Sequence, residues 1–212
     1  MTHLKRPISL SSTLLIAIML MSGCTPGIGL KTENHQKFNN YSFKLLDQRP
    51  AQEKEDETLS FSITNCAYGI YRIGDDDTTP ERISYLKNTL QQHRAAALKG
   101  HTIVIKKFTI HKNLQSHLRK ANPYQQGLIP GIINSFQCFA KANEPGGFSI
   151  KENPSGSPAA IIEVTLQISG RTKHYRIVHA GSIDVGLWSV NDNLVPEAME
   201  KTMAAILKSF RA

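Results

Sequence analysis

No stretch of the chain offers the roughly 20 consecutive apolar residues that a permanent membrane-spanning helix needs. The longest, residues 14–21, has eight, so a membrane-embedded helical body is excluded. Phosphate-cradling glycine motifs are missing, because Gly27-Ile28-Gly29 has neither a strand before it nor a helix after it. There is no G-x-S-x-G nucleophile elbow, and Ser155-Gly156-Ser157-Pro158 is flexible-loop composition. No two histidines stand at helical spacing around a glutamate, so no zinc helix and no metal site is expected. Internal repeats and coiled-coil heptads are absent. Acidic residues are in deficit, 17 against 25 Lys and Arg. With 40% apolar and 20% charged residues, the composition still fits an ordinary globular domain.

What the chain has begins at its amino terminus. Lys5 and Arg6 belong to a short basic start, residues 14–21 supply the apolar run, and Leu20-Met21-Ser22-Gly23-Cys24 ends it with small residues before a cysteine. That is the order of a secretory signal peptide closing on a lipobox. In these residues the chain resembles bacterial lipoproteins. The resemblance implies cleavage before Cys24, diacylation of its thiol and a third acyl chain on the new amino group. Two or more chains make anchoring stable where one is reversible. It also implies the outer membrane as destination, with the domain facing the periplasm, because Thr25 stands where an Asp would favour inner-membrane retention. The alternative is an incidental Cys24 on a secreted protein.

On this reading residues 1–23 are a signal peptide, 24–40 a lipidated flexible tether and 41–212 a single domain. Loss of Lys5 and Arg6 lowers the formal charge from +8 to +6. Across a membrane such a surface meets anionic lipid, lipopolysaccharide or cell-wall polymer before nucleic acid. Cys66 and Cys138 are left as an even pair in an oxidising compartment and are the candidate disulfide. Closing so long a loop removes about 4 kcal/mol of unfolded-chain entropy. Two unrelated buried thiols, or a reactive thiol paired with a histidine, are the alternatives.

Alternation over residues 41–45 predicts a strand ended by Asp47-Gln48-Arg49-Pro50. Alternation at Leu59, Phe61 and Ile63, continued through Cys66 towards Gly74, predicts a second strand bent at Gly69. Thr79 and Pro80 signal a helix start, with Ile83, Leu86, Leu90 and Ala97 on one face and Gly100 at the end. Residues 101–111, rich in β-branched side chains, predict a long central strand. Residues 161–168 and 173–178 predict a hairpin, and Val195, Met199, Met203, Ile206, Leu207 and Phe210 predict a closing helix. Gly and Pro over 143–158 predict a surface loop, while Ile132, Ile133, Phe136 and Phe139 fit either a helical stripe or an irregular segment. The order predicts an α+β fold, a mostly antiparallel sheet with amphipathic helices packed on one face.

Asp75, Asp76 and Asp77 form the densest acidic cluster, a candidate cation loop or a solvated turn at the positive end of the following helix. An EF-hand is excluded, since its glycine position holds Pro80 and its bidentate glutamate position Leu86. His174 and His179 fall on opposite strand faces, and His101 and His111 share a face about 33 Å apart, so neither pair shares an ion. Lys106, Lys107, Lys112, Arg119, Lys120, Arg171, Lys173 and Arg176 either gather on one exposed face or solvate sheet edges. No catalytic residue and no cofactor is expected. Asp47-Gln48-Arg49-Pro50 after a first strand, with the element order, resembles small envelope lipoproteins of the YajG and transport-auxiliary kind. The Cys66/Cys138 pair and the insertion between Lys112 and Ala159 depart from that pattern. The expected function is a non-catalytic binding or accessory module at the outer membrane, with an envelope protein or anionic lipid as partner and no nucleic acid. The alternative is a tethered hydrolase acting on envelope material.

Overall fold

The structure is a computed structural model that describes residues 28–31, 38–60, 69–114, 144–149, 151–154, 157–181 and 194–210. Cys24, Cys66, Cys138 and the apolar stripe from Ile132 to Phe139 lie outside the described residues, as do Arg119 and Lys120. In chain order the elements are β1 (Ile28–Gly29), β2 (Lys44–Asp47), a 3-10 turn (Ala51–Lys54), β3 (Glu57–Ser60), β4 (Ile70–Ile73) and β5 (Thr78–Thr79). Helix α1 (Arg82–Leu98), β6 (Thr102–Asn113), β7 (Ala159–Ile168), β8 (Arg171–Ala180) and helix α2 (Leu194–Lys208) follow. The fold is α+β, and its main sheet runs β3-β4-β6-β7-β8 in antiparallel pairs, with β2 added in parallel. Among the described residues no helix is long and apolar enough to cross a membrane.

The β-branched run after α1 becomes β6, the central strand. Its β7 edge is paired from Ile103 to Asn113. Its other edge has two partners: β2 runs parallel to Thr102–Ile105, and β4 runs antiparallel to Ile110–Asn113. Between them Phe108 is bonded by side chains. Its N–H donates to the Glu53 carboxylate at 3.2 Å, and its carbonyl accepts from Arg49 Nη1 at 3.5 Å.

Ile105 pairs with Leu166 and Lys107 with Thr165, which leaves Lys106 unopposed as a bulge. A bulged residue reverses the in–out alternation of the strand beyond it. Ile103 and Ile105 before it, and Phe108 and Ile110 after it, are therefore all fully buried in one core. His111 consequently faces away from that core, and the shared face expected for His101 and His111 is lost.

β7 and β8 form the expected hairpin. Ser169 (φ 49°) and Gly170 (φ 78°) both take left-handed backbone, the pattern of a two-residue turn that matches strand twist. α1 and α2 cover the same sheet face, where Leu86, Leu90, Met199 and Ile206 meet Phe108, Ile162 and Leu166 with no exposed surface. α1 begins at Arg82, two residues beyond the expected Pro80, and its backbone is non-helical at Arg94 (φ −138°). Past that kink the buried position moves from the expected Ala97 to Leu98. Arg94 then reaches the carbonyl of Leu207 at 3.1 and 3.2 Å, supplying donors to the last turn of α2.

Two expectations change. Leu59 and Ile70 do not lie on one bent strand; β3 and β4 are separate and antiparallel, Glu57 facing Arg72 and Thr58 facing Tyr71. Within the segment expected to be a tether, Ile28 and Gly29 pair with Thr78 and Thr79, Leu30 is buried in the main core, and Lys31 is 3.3 Å from Glu200. Leu30 supplies the apolar burial that docks these residues.

Candidate functional site

Charged side chains collect in two places. The first fills the gap between β2 and β4. Arg49, whose side chain has no exposed surface, donates from Nε and Nη2 to both oxygens of Asp47 at 2.9 Å. Its Nη1 and Nη2 donate to Asp75 at 3.0 and 2.8 Å. Arg82, also without exposed side-chain surface, bonds Asp75 through Nε and donates to the Glu53 carbonyl through Nη2. Its guanidinium lies 5.9 Å from the centre of the Phe108 ring. Burial by itself would raise both aspartate pKa values, but the guanidinium groups outweigh it and hold Asp47 and Asp75 below the usual carboxylate range. Desolvation lowers the pKa of Arg82, and its Nη1 has no hydrogen-bond partner among the described residues.

This arrangement locates the acidic cluster. Asp75 is spent on two guanidinium groups, Asp77 accepts the Gly74 N–H at 2.9 Å and Asp76 is exposed. Among the described residues no group of three or more His, Cys, Asp and Glu side chains could hold a metal ion.

The second collection lies on the sheet face that α1 and α2 leave open, where an open cleft of about 410 Å³ has formed. Arg72 on β4, Lys107, Thr109 and His111 on β6, Glu163 on β7 and Arg176 on β8 line its sheet side. Glu53 from the 3-10 turn, with Glu144 and Pro145 from loop 144–149, completes the rim. The cross-strand register brings them together: Arg72 faces His111, Thr109 faces Glu163 and Glu163 faces Arg176. Glu163 accepts from Lys107 and from Arg176, each at 2.5 Å. Arg176 further donates to Glu152 at 2.7 Å and to the Gly147 carbonyl at 2.7 Å, and Arg72 pairs with Glu57 at 2.5 Å.

At the floor of the cleft, Thr109 and His111 are 3% and 2% exposed, and neither Thr109 Oγ1 nor His111 Nδ1 has a hydrogen-bond partner among the described residues. Burial drives the His111 pKa down to about 4; Glu163 opposes this, while Lys107, Arg72 and Arg176 reinforce it. The imidazole is therefore neutral near pH 7. Leaving buried polar groups unpaired costs about 1–3 kcal/mol each, so such groups call for a role, of which a contact made on binding is one. Glu163 itself is held low: burial would raise it, but Lys107 and Arg176 prevail.

Loop 144–149 is tied to this face. Asn113 Nδ2 donates to the Gly146 carbonyl at 2.9 Å, and Phe148 packs with Ala159, Ile161 and Val178 in a small second core. Gly146 has φ +71°, and a Cβ there would meet the Ile70 side chain and approach His111 Cβ at 3.0 Å. Gly146→Ala is therefore expected to cost about 1–3 kcal/mol and to raise hydrogen exchange in loop 144–149 while β7 and β8 stay protected. Unchanged exchange in the loop would show that this contact does not hold it.

Of the basic residues expected to gather, Lys107 and Arg176 meet on this face, whereas Lys173 points to the helix side, donating to the Ser209 carbonyl at 2.7 Å. The two strand histidines divide as expected: His174 is 3.0 Å from Thr165 on the open face, and His179 is 2.6 Å from Glu197 of α2. His111 and Thr109 carry no motif. The available signal is a polar pair at i, i+2 within a strongly apolar strand, and its face depends on a bulge that local alternation does not announce.

Comparison of the chain with family models, curated proteins and solved structures finds no match in any of the three.

Proposed function

We propose that the protein is an outer-membrane-anchored periplasmic lipoprotein whose domain is a non-catalytic binding module for an envelope protein, engaged through the open face of the sheet. The observation that carries this reading is the cleft, whose floor holds two of the three buried side-chain atoms without a hydrogen-bond partner among the described residues. A protein partner is favoured over anionic lipid because the cleft cations are spent: Arg72, Lys107 and Arg176 each pair with a carboxylate of the same domain. Anionic headgroups would have to displace those carboxylates. The hydrolase reading retains one observation, the convergence of Glu53, Glu144, Glu163 and His111 on one cleft. Against it, a general acid needs a raised pKa near neutral pH, and Glu163 is shifted the other way.

Anchoring rests on the leader and Cys24. In cells, palmitate labelling is expected on the wild-type chain and not on Cys24→Ala, with the variant released from the membrane fraction. Persistent membrane association of unlabelled Cys24→Ala would remove the anchor. For the binding role, a photo-crosslinker at Pro145, exposed on the rim, is expected to capture one dominant envelope protein. The same group at Ala204, exposed on α2, is expected to give background. Equal capture at both positions would end the assignment to the open face.

A further inference from the structure

We propose that the cleft takes a primary ammonium group on a polar chain, held by hydrogen-bond acceptors that the fold leaves unspent. The inference rests on the reading above that the open face binds, and it names the chemistry bound. Each cation of the cleft already has a carboxylate partner: Arg72 gives Nη2 to Glu57 and Nε to the Glu55 carbonyl, Lys107 binds Glu163, and Arg176 binds Glu152, Glu163 and the Gly147 carbonyl. The acceptors are less fully engaged. Among the described residues Glu53 and Glu144 pair with no cation, although Glu53 accepts the Phe108 N–H. Thr109 Oγ1 has no hydrogen-bond partner among them either, and a neutral imidazole at His111 always keeps one nitrogen lone pair.

Charge gives the same answer. The three cations of the lining are matched by Glu53, Glu144 and Glu163, and Glu57 and Glu152 add two carboxylates as their outer partners. The lining itself is thus balanced in charge, and an ammonium would be drawn to the two carboxylates that pair with no cation among the described residues, Glu53 and Glu144. A bare metal ion fits less well. No three His, Cys, Asp or Glu side chains among the described residues are placed to hold one, and 410 Å³ is the size of a small-molecule cleft, not of an ion cage. The ammonium can come from a lysine side chain of a protein partner or from a free polyamine.

The test titrates the full-length lipidated protein, in non-ionic detergent, with spermidine, with the peptide Gly-Lys-Gly and with the same peptide acetylated on its lysine, followed by calorimetry. Saturable binding of spermidine or of the free-lysine peptide is expected, with acetylation abolishing the latter. E144Q should weaken it about tenfold, the loss of one charge-assisted contact. Glu144 is exposed and is not ion-paired among the described residues, so E144Q should unfold with the wild-type midpoint. Binding of spermidine alone assigns the site to free amines; binding of the peptide assigns it to a protein lysine. Equal binding of the acetylated peptide, indifference to E144Q, or no saturable binding of either amine would overturn the proposal. If crosslinking at Pro145 still captured one partner, only the ammonium chemistry would fall and the binding role would stand.

Discussion

Replacing Arg49 with alanine is expected to remove about 3 kcal/mol of stability, because it takes a fully buried guanidinium from two carboxylates and leaves Asp47 with Lys54 alone and Asp75 with Arg82 alone. For a domain of this size that is a fall in Tm on the order of 10 °C, and a large part of the roughly 5–15 kcal/mol typical of native domains. Two features make this pair network unlike a surface salt bridge. The Arg49 side chain is wholly buried and binds Asp47 through both carboxylate oxygens and Asp75 through two nitrogens. It also bonds the Phe108 carbonyl on that edge of β6, where β2 has ended and β4 has not begun. Arg49→Lys should rescue little, since a single ammonium cannot serve four oxygens in one plane. Urea unfolding of wild type, Arg49→Ala, Asp75→Ala and the double variant gives the coupling directly. Single losses below about 1 kcal/mol, the range of exposed pairs, would show that the network adds little.

Acidification should weaken the fold in two stages, and the first belongs to His111. Its folded pKa is about 4 against an ordinary 6.5. Between those values the unfolded chain binds a proton that the folded protein refuses, so stability falls as pH drops from about 6.5 to 4 and the His111 contribution is flat below. A shift of this size corresponds to about 3 kcal/mol at most. Glu163 counters burial there, whereas Lys107, Arg72 and Arg176 all work against a charged imidazole. The second stage begins near the ordinary carboxylate range. Asp47, Asp75 and Glu163 have depressed folded pKa values, so their contribution is complete above the unfolded values and is lost as pH falls towards the folded ones. His111→Gln, neutral at every pH, should flatten the slope of stability between about pH 6.5 and 4 and leave the lower stage unchanged. An identical slope in His111→Gln would move the first stage to another group.

Elements with a strong local period are legible in the amino-acid order. The hairpin of β7 and β8 shows this, because alternation and Ser169-Gly170 are both contained in a few neighbouring residues. α2 shows it again: Val195, Met199, Met203 and Ile206 are buried as their spacing requires. α1 is legible in place but less so in phase. Its buried face includes Arg82, Asn88 and Thr89, and the break at Arg94 moves burial to Leu98, so apolar spacing describes only part of it. β3 and β4 read as one bent strand because alternation does not record a reversal of direction.

The charged sites are hidden for a different reason. Asp47-Gln48-Arg49 is visible as a short motif, yet Asp75 is 26 residues away and Arg82 a further seven, and nothing local states that they meet. The Lys106 bulge decides which face His111 occupies, and it is set by pairing with β7, more than 50 residues later. By itself, then, the sequence determined the α+β class, the central strand, the hairpin and the closing helix, because 3.6-residue and two-residue periods are properties of adjacent side chains. Only the tertiary structure decided that β6 changes partner along one edge, that buried arginines fill the gap, and that Thr109 and His111 stand beneath a cleft without a hydrogen-bond partner among the described residues. Burial and charge pairing depend on groups brought together from distant parts of the chain.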